Sequence, residues 1–191
     1  MLAGKRRVFA DFIAAAEWLI AASYTRPKRL AIASGSNNEL LTKTALTQQP
    51  DLFAAVICRV PLLDMLHYHH FLMARYWVPE YGSANNPEQF AVLRSYSPYH
   101  NVRDGVRYPA VLLTAGANDS RVHPLHARKM AARLQAATAS DPEAHPILLS
   151  VESHSGHGPG KPLADQIRES ADLWCFLMRQ LRVEPRSEPA G

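Results

Sequence analysis

Residues 29–48 read Arg-Leu-Ala-Ile-Ala-Ser-Gly-Ser-Asn-Asn-Glu-Leu-Leu-Thr-Lys-Thr-Ala-Leu-Thr-Gln. Arg29 to Ala33 is a short apolar run of strand length. Ser34 to Asn38 is a run of turn formers, and Leu40 to Gln48 has a helical pattern that Pro50 stops. The same alternation continues downstream. Leu52–Val60 is strand-like in its second half, Ala110–Thr114 follows Pro109, and Pro146–Val151 is a fourth apolar run. Helical spacing precedes and separates them. Val8/Phe9, Phe12/Ile13, Ala16 and Leu19/Ile20 predict a helix that Pro27 ends, and further helices are expected over Pro124–Ala137 and Pro162–Leu181. In the last one Leu163, Ile167, Trp174, Leu177, Met178 and Leu181 share a face. Trp18 and Trp174 are both expected to be core residues. Between Leu62 and Pro98 no clean period emerges, which suggests short helices and loops forming a cap or pocket wall. Repeated strand–helix units imply an α/β fold with roughly four parallel strands and helices on both faces.

Composition narrows the class. A chain of 191 residues that is 47% apolar and 20% charged is an ordinary globular domain, neither disordered nor fibrous. It is long enough to hide about 70% of its unfolded surface. No apolar run reaches membrane-spanning length, so no membrane association is expected. The net charge of +4 is scattered, with small clusters at Lys5-Arg6-Arg7 and at Arg26, Lys28 and Arg29. A nucleic-acid footprint would need a denser stripe, so none is expected. Cys58 and Cys175 provide neither a disulfide framework nor a four-thiol metal site. With no apolar signal core at Met1–Lys5, the chain is expected in the cytoplasm, unless its true start lies upstream.

In parallel sheets the chemistry sits in loops at the carboxyl ends of the strands. Three such loops carry reactive groups: Ser36 after the first strand, Asn118-Asp119-Ser120-Arg121 after the third, and Ser153-His154-Ser155-Gly156-His157-Gly158 after the fourth. The order Ser…Asp…His is that of the α/β-hydrolases. A hydroxyl becomes nucleophilic when an imidazole takes its proton, and a carboxylate holds that imidazole in the right tautomer. The turn after the strand also aims helix N–H groups at a developing oxyanion. One such donor contributes roughly 3–4 kcal/mol to barrier lowering; here it would be Asn37 N–H.

The chain resembles the catalytic domain of the prolyl oligopeptidase family of serine peptidases from about Ala3 to Leu181. The residues that carry the resemblance include Val8-Phe9-Ala10-Asp11-Phe12-Ile13, Gly35-Ser36-Asn37, Gln49-Pro50-Asp51-Leu52-Phe53 and Asp64-Met65-Leu66. Further along are Tyr96-Ser97-Pro98-Tyr99-His100-Asn101-Val102, Asp119-Ser120-Arg121-Val122 and Gly156-His157-Gly158-Pro159-Gly160-Lys161-Pro162. The resemblance implies Ser36 as nucleophile, Asp119 as acid and His157 as base. It implies short peptides cut after proline as substrates, and no cofactor or metal. Trp77 would stack on the substrate proline and Arg121 would bind a substrate carbonyl, with Tyr81 and Val122 in the same wall. Two departures stand out. The family turn Gly-Gly-Ser-Asn-Gly-Gly is here Ser34-Gly35-Ser36-Asn37-Asn38-Glu39, with three glycines replaced. Family members also carry an N-terminal β-propeller, more sheet strands and an upstream oxyanion tyrosine. The expectation is therefore a truncated α/β-hydrolase, residues 1–182, with a disordered tail at 183–191. Its open first strand should fold poorly alone or pair with another chain, whether the missing half or a second copy.

Other readings stand beside this one: an inactive remnant of such a peptidase, or a general esterase. His67, Tyr68, His69 and His70 resemble a metal cluster, but no carboxylate or cysteine is read at ligand spacing, so they are expected to line a polar entrance, as are His123 and His126. Asp64 reads as a turn or cap residue. Gly158-Pro159-Gly160-Lys161 lacks the pattern of a phosphate loop.

Overall fold

The computed structural model describes residues 5–35, 39–153, 156 and 162–184. Ser36, Asn37, Asn38 and His157 lie outside the described residues, as does the expected tail apart from Val183 and Glu184. The elements in order are α1 (Lys5–Ala21), β1 (Ala31–Gly35), α2 (Glu39–Gln48), β2 (Ala55–Arg59), α3 (Val78–Tyr81), α4 (Pro87–Tyr96), β3 (Ala110–Gly116), α5 (Leu125–Ala137), β4 (Ile147–Glu152) and α6 (Leu163–Leu181). The strands form one parallel sheet in the order β1-β2-β3-β4.

Side chains alternate across the sheet as the pleat requires. Val56, Cys58, Val111 and Leu113 face one layer, where they meet Ala16 of α1, Ala45 and Leu46 of α2, and Met130 and Leu134 of α5. Ala55, Ile57, Ala110 and Leu112 face the other, where Phe176 of α6 covers them. The helices therefore lie on both faces, as expected. β3 is buried along its whole length, whereas β1 and β4, at the two edges of the sheet, are partly exposed.

The stretch between β2 and β3 holds short helices, as its aperiodic sequence suggests. Asn86 caps α4: its Oδ1 accepts Glu88 N–H at 3.0 Å and Gln89 N–H at 3.1 Å, and Pro87 occupies the first turn. Gly82, at φ 92°, ends α3 in a backbone region that favours glycine. This cap buries Leu62, Met65, Tyr68, Tyr81, Leu93 and Tyr96 against Phe9 of α1 and Leu40 of α2.

One expectation is overturned. Trp18 is 60% exposed and Trp174 is 64% exposed, so neither is core. On α6 the sheet-facing residues are Leu173, Phe176 and Leu177, while Leu163, Ile167 and Trp174 point away from the sheet. Periodicity reveals an apolar stripe but not what it faces. On α6 the sheet takes one flank, Leu173, Phe176 and Leu177, and leaves Leu163, Ile167 and Trp174, about 100° further round the helix, uncovered.

Candidate active site

Parallel pairing puts every strand's carboxyl end at one edge of the sheet. β1 ends at Gly35, next to Ser36; β3 ends at Gly116, three residues before Asp119; β4 ends at Glu152, and Gly156, next to His157, follows. β1 and β3 are separated by β2 alone, so their ends lie two strand spacings apart, about 9.5 Å.

The β3 and β4 loops are tied together. Ala117 N–H donates to the Glu152 carbonyl at 2.9 Å, and Asn118 Nδ2 donates to the Ser153 carbonyl at 3.1 Å. A Cβ built on Gly156 would lie 3.6 Å from the Asn118 carbonyl oxygen, so the chain beside His157 runs along the chain beside Asp119. Asp119 is 4% exposed, and its Oδ1 accepts the N–H groups of Arg121 at 2.7 Å and Val122 at 2.9 Å. Two backbone donors set the orientation of this carboxylate. Such a group can hold an imidazole N–H and stabilise imidazolium.

Of the expected pocket residues, Trp77 packs half-buried against the cap cluster that contains Tyr81 and Leu62. Tyr81 is buried and stacks edge-on against Tyr68, with centroids 5.7 Å apart. Tyr68 in turn donates to the Gly82 carbonyl at 2.5 Å. Val122 is buried, and Arg121 beside it is exposed to solvent. Leu40, the second residue of α2, packs in the same cluster, so this wall lies beside the start of α2.

Sequence reasoning missed a buried polar group against the end of β1. Lys43 is 0% exposed and donates to Ser34 Oγ at 3.3 Å; Ser34 Oγ also shares a 2.5 Å hydrogen bond with Thr42 Oγ1. Burial brings Lys43 down to about 8, opposed by its hydrogen bond with Cys58, and burial pushes the Cys58 thiol up. The signal was available: Lys43 lies at helical spacing from Leu40 and Thr47, both buried.

A second polar cluster follows β2. Asp64 is 1% exposed. Its Oδ1 accepts Leu66 and His67 N–H at 3.2 Å each, which makes it the turn residue expected, and its Oδ2 takes Lys129 Nζ at 2.5 Å. Burial alone would raise Asp64, but hydrogen bonds from Lys129 and His67 and their charges hold it down at about 2. His67 Nδ1 lies 3.0 Å from both carboxylate oxygens. The reading that no carboxylate stands at ligand spacing from the histidines is thus corrected: Asp64 stands three residues before His67. His126 does not line an entrance. It is buried, its Nδ1 accepts Asp64 N–H at 3.2 Å, and burial lowers it to about 4.

The sequence profile of the prolyl oligopeptidase family matches residues 2–184. A prolyl endopeptidase of Dictyostelium discoideum is 41% identical over 181 residues, 94% of this chain and 24% of its own. A chain from a structural study of two prolyl endopeptidases superposes with a TM-score of 0.91 at 50% identity, over 96% of this chain and 27% of that one. A post-proline cleaving enzyme from Rickettsia typhi gives a TM-score of 0.86 at 36% identity, over 93% of this chain and 25% of that one. The chain spans about a quarter of the length of these relatives.

Proposed function

Because the chain belongs to the prolyl oligopeptidase family, we propose that it is the triad-bearing part of a serine peptidase that cuts short peptides after proline. The observation that carries this reading is the buried, twice-capped Asp119 carboxylate beside the loop that leads to His157. In this proposal Ser36 Oγ attacks the scissile carbonyl while His157 takes its proton. Asp119 stabilises the imidazolium, and Asn37 N–H receives the oxyanion. His157 then protonates the leaving amine, and water releases the acyl group by the same route reversed. Trp77 and Tyr81 offer the flat apolar wall that a proline ring fits, with Val122 beside Asp119 and Arg121 placing a carbonyl. No cofactor takes part. The rest of such a peptidase, a propeller and further sheet strands, is proposed to complete the site in a longer polypeptide. A cytoplasmic setting belongs to the same proposal and fits the unpaired Cys58 and Cys175.

A second reading, an inactive remnant, is favoured by one observation: Ser34, one of three residues that stand where the family has glycine, hydrogen-bonds the buried Lys43 and also Thr42. A fluorophosphonate probe separates the two. Labelling of the folded chain that vanishes in Ser36→Ala supports the peptidase; no labelling of folded protein overturns it. A proline-containing chromogenic peptide, set against a simple ester, separates peptidase from general esterase.

A further inference from the structure

We propose that Asp64, His67 and His100 form a site for one first-row transition-metal ion, with Zn²⁺ the best match. Asp64 and His67 share one turn and His100 comes from further along the chain, and each of the three offers one ligand atom within 4.8 Å of the other two. Asp64 Oδ1 lies 3.0 Å from His67 Nδ1 and 3.7 Å from His100 Nδ1. A tetrahedral ion with bonds of about 2.0–2.1 Å places its ligand atoms about 3.3 Å apart. The two Asp64–histidine separations fall on either side of that value, and the two histidine atoms lie within 4.8 Å of each other, so the three side chains would draw together around an ion.

The surroundings divide the work of the carboxylate. Oδ2 is held by Lys129, whose Nζ also lies 4.2 Å from the centre of the Tyr99 ring. Oδ1 faces the two imidazoles and accepts Leu66 and His67 N–H only at 3.2 Å each. The ion would thus take Asp64 through Oδ1 alone. The Lys129 ammonium beyond the carboxylate limits its affinity. His126 is not a candidate ligand through Nδ1, which accepts Asp64 N–H.

His100 Nδ1 also lies 2.9 Å from Ser97 Oγ. When an ion takes that nitrogen, the Ser97 hydroxyl can turn to the Leu63 carbonyl, 3.4 Å away, while still accepting Met65 N–H at 3.0 Å. Both imidazoles would bind through Nδ1 as the Nε2–H tautomer. Asp64 and His100 are largely enclosed, but the His67 side chain is 56% exposed, so the site opens to solvent on one side. That opening admits the ion and leaves a fourth position for water. Two nitrogens and one carboxylate oxygen suit Zn²⁺ better than Mg²⁺ or Ca²⁺, which prefer all-oxygen sets. The ion would pin the start of the segment that runs on to Trp77 and Tyr81. The proposal does not depend on the peptidase reading.

The test is isothermal titration of Zn²⁺ into the chelator-treated 191-residue chain, with stoichiometry counted per chain so that self-association does not blur it. One ion per chain is expected. His67→Gln should weaken binding at least tenfold, and His70→Gln should leave it unchanged. Because His67 is exposed, its substitution is not expected to disturb the fold, which circular dichroism checks. As a second readout, Co²⁺ should give the intense visible bands of a tetrahedral site in the wild type, and these should disappear in His67→Gln. The absence of saturable binding, or equal affinity in His67→Gln, would overturn the proposal.

Discussion

At the scale of the residue, burial decides more than identity. His126 shows this most directly. Its imidazole is enclosed at the start of α5, where Asp64, Lys129, His123 and His67 surround it, and its pKa falls from 6.5 to about 4 chiefly because burial penalises the charged form. Between those two values the unfolded chain binds a proton that the folded chain does not. Stability is therefore fully present above pH 6.5 and is lost as the pH falls towards 4, by about 3 kcal/mol at most. His100, lowered by burial, acts in the same direction. Asp64, held at about 2, adds its own loss only at lower pH. Urea unfolding across this range, with chelator present, should show the slope, and His126→Gln should flatten it. An unchanged slope in that variant would assign the acid sensitivity to other groups.

At the scale of the element, strand limits follow the ladder and not local propensity. Arg29 reads as the first strand residue, yet Pro27–Arg29 forms a 3₁₀ turn and β1 begins at Ala31. At its other end β1 runs past the expected Ala33 to Gly35, because Ser34 and Gly35 pair with Cys58 and Arg59. β3 extends to Gly116 for the same reason, opposite Glu152 of β4. α6 is the more instructive case. Phe176 seats it over Ala55, Ile57, Ala110 and Leu112, and the Arg59–Glu169 bridge at 3.2 Å adds an outer tie. Arg59 is half-exposed, so its bridge is largely screened and contributes little, and the aromatic ring carries the attachment. Phe176→Ala should destabilise the chain by about 3–5 kcal/mol, whereas Arg59→Ala should change it by less than about 1 kcal/mol. Equal losses in the two variants by chemical denaturation would show that α6 is held in another way.

At the scale of the whole molecule, apolar surface is left uncovered. Leu163, Ile167 and Trp174 on the outer side of α6 are exposed, as is Leu148 on β4. β1 is an edge strand of the sequence Ala-Ile-Ala-Ser-Gly, without a charge to discourage pairing. Surfaces of this kind promote association. The 191-residue chain should therefore sediment as a concentration-dependent mixture, and Ile167→Glu with Trp174→Arg should shift it towards monomer. A monodisperse, cooperatively melting wild-type monomer would show that these surfaces are tolerated.

The linear order of strands, turns and helices was legible in the sequence, because a period of two or of three to four is written in consecutive residues and needs no partner to be read. So were the parallel sheet and the strand ends that precede Ser36, Asp119 and His157 in the chain, since βα repetition leaves few topologies open. What only the tertiary structure decided is which part of the apolar surface of α6 meets the sheet, that Lys43 is sealed against the end of β1, and that Asp64 and His67 meet His100. Each of these depends on residues far apart in the chain competing for the same space. Local periodicity carries no record of that competition.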